Sequence, residues 1–274
     1  MDNVIILGST GMLGSCLSKY IPQAKQISRE QVDATSCNVS QDLESVITSG
    51  DVVVNCVGVL KPDIEDTGRV NTIIINSVFP QIVSDVCRSK SARMIHICSD
   101  CVFSGEVGGY DENSLCDAVD LYGRTKSITP TGCDVIRTSF IGHHPSGKGL
   151  LEWVLSNKDS QIDGYTNCLW NGVTSLQLCK FICWCIDKDV SWTGLLNVFT
   201  ASSMSKFELC STINEVYDAN VKINPVECDS VSGTPVYGVL DRRLSSSYGL
   251  QPIGRINDHL QIQIEQQREW YEQS

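Results

Sequence analysis

The sequence of 274 residues is poor in basic residues, with 21 lysines and arginines against 32 aspartates and glutamates and a formal net charge of -11. No stretch concentrates lysine and arginine, so a nucleic-acid-binding protein, which needs a basic patch against the phosphates, is not expected. The sequence pattern has no apolar run of membrane-spanning length, and we expect no membrane partner. It also has no internal repeat or low-complexity tract.

Metal-binding and disulfide patterns are lacking as well, although the sequence contains 14 cysteines and 4 histidines. Cys179, Cys183 and Cys185 lie close together on a predicted helix, but neither a histidine nor a Cys-x-x-Cys pair lies near them. We therefore expect buried packing and no metal site. Met1-Asp2-Asn3 leads into the first predicted strand without the basic segment of a signal peptide. Because cysteines in apolar segments behave as small hydrophobic residues, we expect a reduced, cytoplasmic protein.

The strongest positive signal is the stretch 4–14, with the sequence Val-Ile-Ile-Leu-Gly-Ser-Thr-Gly-Met-Leu-Gly. Four consecutive apolar residues predict a strand buried on both faces, and an apolar-periodic helix follows it. Gly8 permits the tight turn after the strand, Gly11 permits close approach to a pyrophosphate, and Gly14 permits close helix–strand packing. Because a helix N-terminus presents unpaired N–H groups and a positive dipole end, this turn predicts a dinucleotide site.

Apolar strands alternate with helical segments through the first half of the chain. This alternation is typical of an α/β fold with a doubly wound parallel sheet. Residues 1–142 are therefore predicted to form an NAD(P)-binding Rossmann domain. Residues 143–274 are predicted to form mainly a smaller C-terminal α/β substrate lobe, from which some strands and helices return to the first domain.

Residues that follow the carboxyl ends of the strands are the candidates for cofactor binding. Ser28-Arg29 follows the second strand, where an arginine favours the 2′-phosphate of NADP over a free 2′-hydroxyl; the alternative is a solvated surface charge. Asn38 falls where a side chain meets the adenine ring. Asn76 is buried by pattern, and either bonds to neighbouring backbone or supports the site. The predicted set is Gly8, Thr10, Gly11, Met12, Leu13, Gly14, Ser28, Arg29, Asn38, Val39, Cys56, Val57, Gly58, Asn76, Tyr122 and Lys126.

Three further residues predict carbonyl chemistry. Tyr122 and Lys126 are four residues apart and therefore share one helix face, and Ser99 lies just past a sheet strand. A nearby ammonium group favours the phenolate and so lowers the pKa of a tyrosine from its usual value of about 10. A serine hydroxyl can stabilise charge that develops on a carbonyl oxygen. The set predicts ketone reduction, with hydride from a nicotinamide to carbon and a proton from Tyr122 to oxygen.

These segments together resemble the extended short-chain dehydrogenases, and most closely the dTDP-4-dehydrorhamnose reductase family. The resemblance is carried by residues 8–14, 99–105, 110–112, 120–126 and 136–139. It implies NAD(P)H-dependent reduction of the 4-keto group of a nucleoside-diphosphate-linked 4-keto-6-deoxyhexose, for glycan or polysaccharide synthesis. It also places Ser99 at the family's catalytic Ser/Thr position, Tyr122 at the acid and Lys126 at its partner.

The same resemblance implies a set of substrate contacts. Residues 170–174 resemble the family's loop beside the substrate, and 241–244 resemble its late arginine segment, where a guanidinium can bind a diphosphate. Cys101 departs from the family, which usually has a tyrosine there that meets the sugar. A core aromatic and a surface arginine pair are the alternatives. The predicted substrate-binding residues are Ser99, Asp100, Cys101, Val102, Trp170, Arg242 and Arg243.

Two other functions fit the resemblance. One is a sugar-nucleotide epimerase/reductase or dehydratase of the same fold, although a dehydratase would have a glutamate at position 101. The other is a non-catalytic, NADP-binding regulatory subunit similar to the beta subunit of methionine adenosyltransferase. The expected partner is a nucleotide-sugar substrate, linked to dTDP or UDP and with or without a 2-acetamido group, and the protein is expected to be a monomer or homodimer.

Overall fold

The structure is a computed structural model that describes residues 3–231, 234–236, 238–248 and 259–273. The helices are α1 (Met12–Tyr20), α2 (Val39–Val46), α3 (Ile64–Thr67), α4 (Arg69–Ile73), α5 (Phe79–Ser89), α6 (Leu121–Lys126), α7 (Leu150–Ser156), α8 (Ser175–Asp187), α9 (Lys206–Tyr217) and α10 (Leu260–Gln273). The strands are β1 (Val4–Leu7), β2 (Lys25–Ile27), β3 (Val52–Asn55), β4 (Arg93–Ser99), β5 (Asp134–Thr138), β6 (Phe140–Ile141), β7 (Gln161–Tyr165), β8 (Cys168–Trp170), β9 (Val173–Thr174), β10 (Gly194–Asn197), β11 (Met204–Ser205), β12 (Lys222–Val226), β13 (Ser230–Val231), β14 (Thr234–Pro235) and β15 (Leu240–Asp241).

A six-stranded sheet in the order β10-β5-β4-β3-β1-β2 forms the centre of the first half of the fold. β1 pairs in parallel with β2 and with β3, and β3 pairs in parallel with β4. Every residue of β1 is at most 2 % exposed, as expected for an apolar central strand that is covered on both faces. The predicted α/β fold with a parallel sheet is confirmed.

The chain divides into two compact units that are both discontinuous in sequence. Unit 1 comprises Met1–Val102, Cys116–Arg137 and Cys183–Leu196, and unit 2 comprises Phe103–Leu115, Thr138–Ile182 and Asn197–Ser274. The prediction placed one boundary after residue 142, with some elements returning to the first domain. The structure differs over Phe103–Leu115, because Tyr110 N donates to the carbonyl oxygen of Arg243 and Tyr110 O accepts from Ser245 N, both in unit 2.

One helical run in unit 1 passes the length and hydropathy test for a membrane span. Arg69–Ser89 consists of α4, a π-helical turn (Ile74–Val78) and α5, and half of its most apolar window is buried inside the fold. Ser77 and Ser84 on this run donate to the carbonyl oxygens of Thr125 and Thr131. Such burial is typical of the core helix of a globular protein, which passes the same test.

Unit 2 is built from small sheets and helices around its own core. β7 pairs in parallel with β12, β8 lies between β11 and β15, and β6 pairs in parallel with β9. The core cluster includes Leu151 and Val154 of α7, Leu209 and Ile213 of α9, and Ile264 of α10. α9 begins with a capping box, in which the Ser205 side chain accepts from Glu208 N and the Glu208 carboxylate accepts from Ser205 N.

Candidate active site

The glycine turn after β1 has the close packing that its sequence predicts. Gly8 has a φ of +78°, which favours glycine, and Gly11 N donates to its carbonyl oxygen. A Cβ atom on Gly14 would lie 2.0 Å from the carbonyl oxygen of Gly8, so only glycine lets α1 pack this closely against the turn. α1 begins at Met12 with no side-chain cap on its N-terminus. Its first N–H groups are therefore available to an anion.

A cavity of about 620 Å³ opens at the carboxyl ends of β1, β2 and β3 in unit 1. Its size and its glycine turn fit a dinucleotide. The predicted cofactor residues that line it are Gly8, Thr10, Gly11, Ser28, Arg29, Cys56, Val57 and Gly58. Lining residues that the sequence analysis missed are Leu7, Ser9, Ile27, Val32, Asp33, Ala34, Thr35, Val59, Asp63, Asp66, Thr67, Asn71, Ile75 and Phe79.

Eight predicted cofactor residues do not line this cavity. Two of them, Tyr122 and Lys126, belong to the catalytic group, and the surroundings of the other six explain why. Met12, Leu13 and Gly14 belong to α1 behind the turn. Asn38 and Val39 lie at the start of α2, which begins at Val39, and Val39 is buried in the core. Asn76 is 1 % exposed, and its side chain forms hydrogen bonds to Val59 and Thr125 of unit 1. The segment 32–35 lines the cavity wall and Asn38 does not, and the adenine contact of Asn38 stays a prediction.

Arg29 and Asp33 form an ion pair on the wall of the cavity, with Arg29 Nε 3.2 Å from Asp33 Oδ2. The other Asp33 oxygen accepts from Thr35 N and Oγ1, at 2.8 and 2.7 Å. The Thr35 hydrogen bonds hold the pKa of the Asp33 carboxyl below its usual value. The side chain of Arg29 remains 78 % exposed, so its guanidinium is accessible to a bound phosphate. The run Asp-x-Thr is an Asx-turn signal that was available in the sequence.

The three predicted catalytic residues lie together in unit 1. Ser99 is the last residue of β4, and its Oγ accepts from Cys101 N at 3.1 Å and donates to Asp100 Oδ1 at 3.3 Å. The Ser99 side chain also acts on Tyr122, since it favours the ionised form of the phenol. Lys126 is buried, and its Nζ donates to the carbonyl oxygen of Ile97 at 2.9 Å.

Gly123 explains how α6 comes so close to the end of β4. A Cβ atom at this position would lie 2.4 Å from both the carbonyl oxygen of Cys101 and the Cβ atom of Ala118. Asp120 caps the helix, since its Oδ1 accepts from Gly123 N at 3.0 Å. The glycine between the catalytic tyrosine and lysine therefore brings the Tyr122 hydroxyl within reach of Ser99, a role that the sequence analysis missed.

The electrostatics of Tyr122 differ from the sequence-based expectation. Burial raises the pKa of Tyr122 well above its usual value of 10, the Cys101 thiol adds to the rise, and the Ser99 side chain opposes it. Burial also lowers the pKa of Lys126 from its usual value of 10.5. The pKa of Tyr122 is not lowered as we predicted, because desolvation is the largest influence on it and favours the neutral phenol. Tyr122 therefore keeps its proton at neutral pH, which is the state that a proton donor requires.

Asn76 connects the turn after β3 to the catalytic helix. Its Oδ1 accepts from Val59 N at 2.8 Å, and its Nδ2 donates to the Val59 carbonyl and to Thr125 Oγ1, both at 3.2 Å. Thr125 precedes Lys126 on α6. The π-helical turn around Asn76 is a feature that often accompanies functional sites. Asn76 therefore positions the site and does not contact the cavity.

The predicted substrate residues are divided between the two units. In unit 1, Ser99 and Cys101 are partly accessible, whereas Asp100 and Val102 are buried. In unit 2, Trp170 is 3 % exposed in the core cluster, and its Nε1 donates to Ser139 Oγ at 2.8 Å. Trp170 and Val102 are therefore packed inside the fold, and the substrate contacts that we predicted for them stay predictions.

The two predicted arginines of unit 2 have protein partners. Asp241 binds Arg243 through two hydrogen bonds, of 2.9 Å to Nε and 2.6 Å to Nη2. Arg242 Nε donates to the carbonyl oxygen of Phe103 at 2.9 Å. Because a bidentate carboxylate occupies the donors with which Arg243 would bind a diphosphate, the structure favours a structural role for it. The contact to Phe103 uses the Nε donor of Arg242, and the substrate-binding role of Arg242 stays a prediction.

Comparison with known proteins places this site in a family. The family described as the RmlD substrate binding domain matches residues 1–152, which include the cavity and all three catalytic residues. The chain belongs to this family. An RmlD-family relative, a dTDP-4-dehydrorhamnose reductase of Mycolicibacterium smegmatis, is 24 % identical over 278 residues, covering 95 % of this chain and 84 % of the relative. A dTDP-4-keto-6-deoxy-D-glucose reductase of Streptomyces niveus is 24 % identical, covering 92 % and 93 %.

Among solved structures, the RmlD-family chain is similar to a dTDP-4-dehydrorhamnose reductase from Bacillus anthracis in complex with NADP. The TM-score is 0.81 at 19 % identity, and the match covers 97 % of this chain and 98 % of the other. This likeness concerns the fold. Within the part of the RmlD-family chain that the structure describes, no group of three or more histidine, cysteine or acidic residues is arranged to hold a metal ion.

Proposed function

We propose that this protein reduces the 4-keto group of a nucleoside-diphosphate-linked 4-keto-6-deoxyhexose with NADPH, giving a deoxysugar nucleotide for glycan or polysaccharide synthesis. The observation that carries the proposal is that one compact unit combines the glycine-turn cavity with Ser99, Tyr122 and Lys126. The cavity supports the cofactor and the three residues support ketone reduction. The substrate class is supported by the names of two relatives that align over more than nine-tenths of this chain.

The residues of the site divide the chemistry between them. When bound, NADPH supplies the hydride that goes to the carbonyl carbon. Tyr122, whose raised pKa keeps it protonated, donates its proton to the carbonyl oxygen, so that the ketone becomes a secondary alcohol. Ser99 donates a hydrogen bond to the same oxygen and stabilises its developing charge. The Lys126 ammonium stabilises the phenolate form of Tyr122 that remains after the proton transfer.

Arg29 supports NADP as the cofactor. Its guanidinium lies on the cavity wall at the end of β2, where the ribose 2′ position of a dinucleotide is bound in this architecture. Gly8 and Gly11 hold the pyrophosphate against the N-terminus of α1. We expect a cytoplasmic monomer or homodimer, and light scattering of the purified protein in solution will give the oligomeric state.

The test is NADPH oxidation by the purified protein with a panel of 4-keto-6-deoxysugar nucleotides. The panel contains dTDP- and UDP-linked hexoses, each with and without a 2-acetamido group, and Tyr122→Phe is the control variant. We expect turnover with one member and its loss in Tyr122→Phe, with NADPH binding retained. Binding of NADPH without turnover on any member would contradict a reductase and favour a non-catalytic NADP-binding role. Full turnover by Tyr122→Phe would exclude Tyr122 as the proton donor.

A further inference from the structure

A buried hydrogen-bonded chain runs across the sheet beneath the cofactor cavity. Leu7 of β1, Asn55 of β3 and His96 of β4 are register partners, and Leu7 and Asn55 end their strands whereas β4 continues past His96 to Ser99. Asn55 and His96 are 0 % and 2 % exposed, and Asn55 Nδ2 lies 3.2 Å from His96 Nδ1. Two polar side chains at the centre of a sheet lower the stability of a fold unless they satisfy each other or another group.

The hydrogen bonds of Asn55 fix the protonation of His96. Asn55 Oδ1 accepts from Val57 N at 3.1 Å, so the amide group that faces the histidine is the donor Nδ2. His96 Nδ1 must then be an acceptor, which requires a neutral ring with its proton on Nε2. Burial independently lowers the pKa of His96 well below 6.5, and the Lys126 ammonium adds to this effect. The neutral form that the hydrogen bonds require is therefore also the form that the surroundings favour.

At the end away from His96, these hydrogen bonds reach the wall of the cavity. Val57 and Gly58 line it, and Asn55 holds the N–H group of Val57. A Cβ atom on Gly8 would lie 3.0 Å from Val57 N and 3.1 Å from the Cys56 carbonyl carbon, so this turn packs directly against the glycine turn. The position of Val57 therefore sets the separation of the two turns between which a dinucleotide binds.

We propose that His96 is a positioning residue for the cofactor, which acts through Asn55 to hold the Val57 turn against the glycine turn. One hydrogen bond joins His96 Nδ1 to the Asn55 amide nitrogen, and a second joins Asn55 Oδ1 to the Val57 N–H group, which belongs to the cavity wall. This inference rests on the proposed binding of NADPH. It adds a residue that touches neither cofactor nor substrate and whose neutral state keeps the cavity in shape.

The experiment is a fluorescence titration of NADPH with the wild type and with His96→Leu, His96→Asn and Asn55→Leu. His96→Leu removes the acceptor and leaves the Asn55 amide unsatisfied, and we expect the Kd to rise about tenfold. His96→Asn places an amide oxygen near the former Nδ1 position, and we expect a Kd within about threefold of the wild type. His144→Leu, a histidine outside this chain of hydrogen bonds, is the matched control and should leave the Kd unchanged.

Non-additive effects of His96→Leu and Asn55→Leu on the Kd for NADPH distinguish a positioning role of His96 from a structural one. If His96 acts through Asn55, adding His96→Leu to Asn55→Leu raises the Kd no further. A histidine that merely supports the sheet would lower the unfolding temperature of His96→Leu and leave its NADPH affinity intact. An unchanged Kd in folded His96→Leu, or an equal rise in both backgrounds, overturns the proposal.

Two further results keep the inference distinct from the proposed function. If thermal unfolding shows that His96→Leu is unfolded, His96→Gln takes its place, because its longer side chain carries the amide past the Nδ1 position. We expect the affinity of His96→Gln to fall below that of His96→Asn, and equal affinities overturn the proposal. A wild type that binds no NADPH contradicts the proposed function itself, whereas tight wild-type binding with unaffected variants contradicts only the role of His96.

Discussion

Lys61 Nζ and Asp120 Oδ2 form an ion pair of 2.8 Å, while the other Asp120 oxygen caps the catalytic helix α6. One carboxylate thus caps the helix that carries Tyr122 and Lys126. It also binds the segment after β3, which leads along the cavity wall. Asn would retain the cap, because its side-chain oxygen accepts from Gly123 N, but it would lose the charge. The two functions of Asp120 can therefore be separated by substitution.

We predict that Asp120→Ala lowers the free energy of unfolding by about 1–2 kcal/mol, since it removes both the cap and the ion pair. Asp120→Asn should lower it by less than about 1 kcal/mol, because the pair is partly exposed and screened by solvent. Urea unfolding measures both values, and kcat on the identified substrate should fall more in Asp120→Ala. Equal losses in the two variants would show that the cap contributes nothing.

We predict that Gly14→Ala and Gly11→Ala have opposite profiles. The new Cβ atom at position 14 meets a backbone oxygen at 2.0 Å, and such overpacking should destabilise the fold by about 1–3 kcal/mol. At position 11 the nearest atom is 3.6 Å away, so the fold should tolerate alanine. The affinity of Gly11→Ala for NADPH should nevertheless fall, because Gly11 permits the close approach of the pyrophosphate. Thermal unfolding and NADPH titration check the pair, and tight NADPH binding by Gly11→Ala would contradict the role of this glycine.

We predict that Arg29→Ala weakens NADPH binding about tenfold, the usual effect of losing a hydrogen bond to a charged group. NADH binding should change less than about twofold, because NADH has no 2′-phosphate for the guanidinium to contact. Arg88→Ala, which removes an arginine paired with Asp85 on α5, is the control for the loss of a surface charge. Parallel losses of NADPH and NADH affinity would mean that Arg29 does not bind the 2′-phosphate.

We predict that the ion pair of Asp241 and Arg243 in unit 2 makes a pH-dependent contribution to the free energy of unfolding. Burial alone would raise the pKa of the Asp241 carboxyl, but the hydrogen bonds from Arg243 outweigh it and hold the pKa below its usual value of 3.8. A lowered folded-state pKa stabilises the fold above the unfolded pKa, and the effect is lost as pH falls through the folded value. Arg243→Gln should therefore cost about 1 kcal/mol at pH 7, after allowance for the exposure of Arg243.

The same difference between Arg243→Gln and the wild type should vanish below the folded pKa of Asp241, where the carboxyl is protonated in both proteins. Urea unfolding from pH 7 to pH 3 measures this difference directly. Asp85→Asn, which affects an exposed ion pair on α5, provides the comparison. A difference that persists undiminished at pH 3 would show that Arg243 acts through packing and not through the charge of Asp241.

Local sequence was sufficient for the glycine turn and for the tyrosine–lysine pair. Gly8 and Gly14 lie between a strand and a helix that are adjacent in the chain, and Tyr122 and Lys126 share one helical turn. Their geometry depends on dihedral preferences and helical periodicity, which a sequence reports directly. The parallel sheet followed from the same alternation of strands and helices.

Contacts between distant segments were not predictable in the same way. Gly123 was read only as a member of a motif, because the carbonyl of Cys101 that crowds it lies on a separate element. Trp170 was predicted as a substrate contact from its resemblance to the family's loop, and the sequence does not show that Ser139 accepts its N–H group. The sequence likewise did not locate the cavity wall at 32–35, because lining the cavity depends on the tertiary position of this segment.

The strand β10 has a consequence for synthesis of the chain. It lies at the edge of the central sheet next to β5, and it is supplied by Cys183–Leu196, long after the other strands of that sheet have been translated. Since a nascent chain emerges from its amino end, the nucleotide-binding unit cannot complete its sheet until unit 2 segments up to Ile182 are already outside the ribosome. A fragment that stops at residue 152, where the family match ends, would expose the edge of β5 to pairing with other chains.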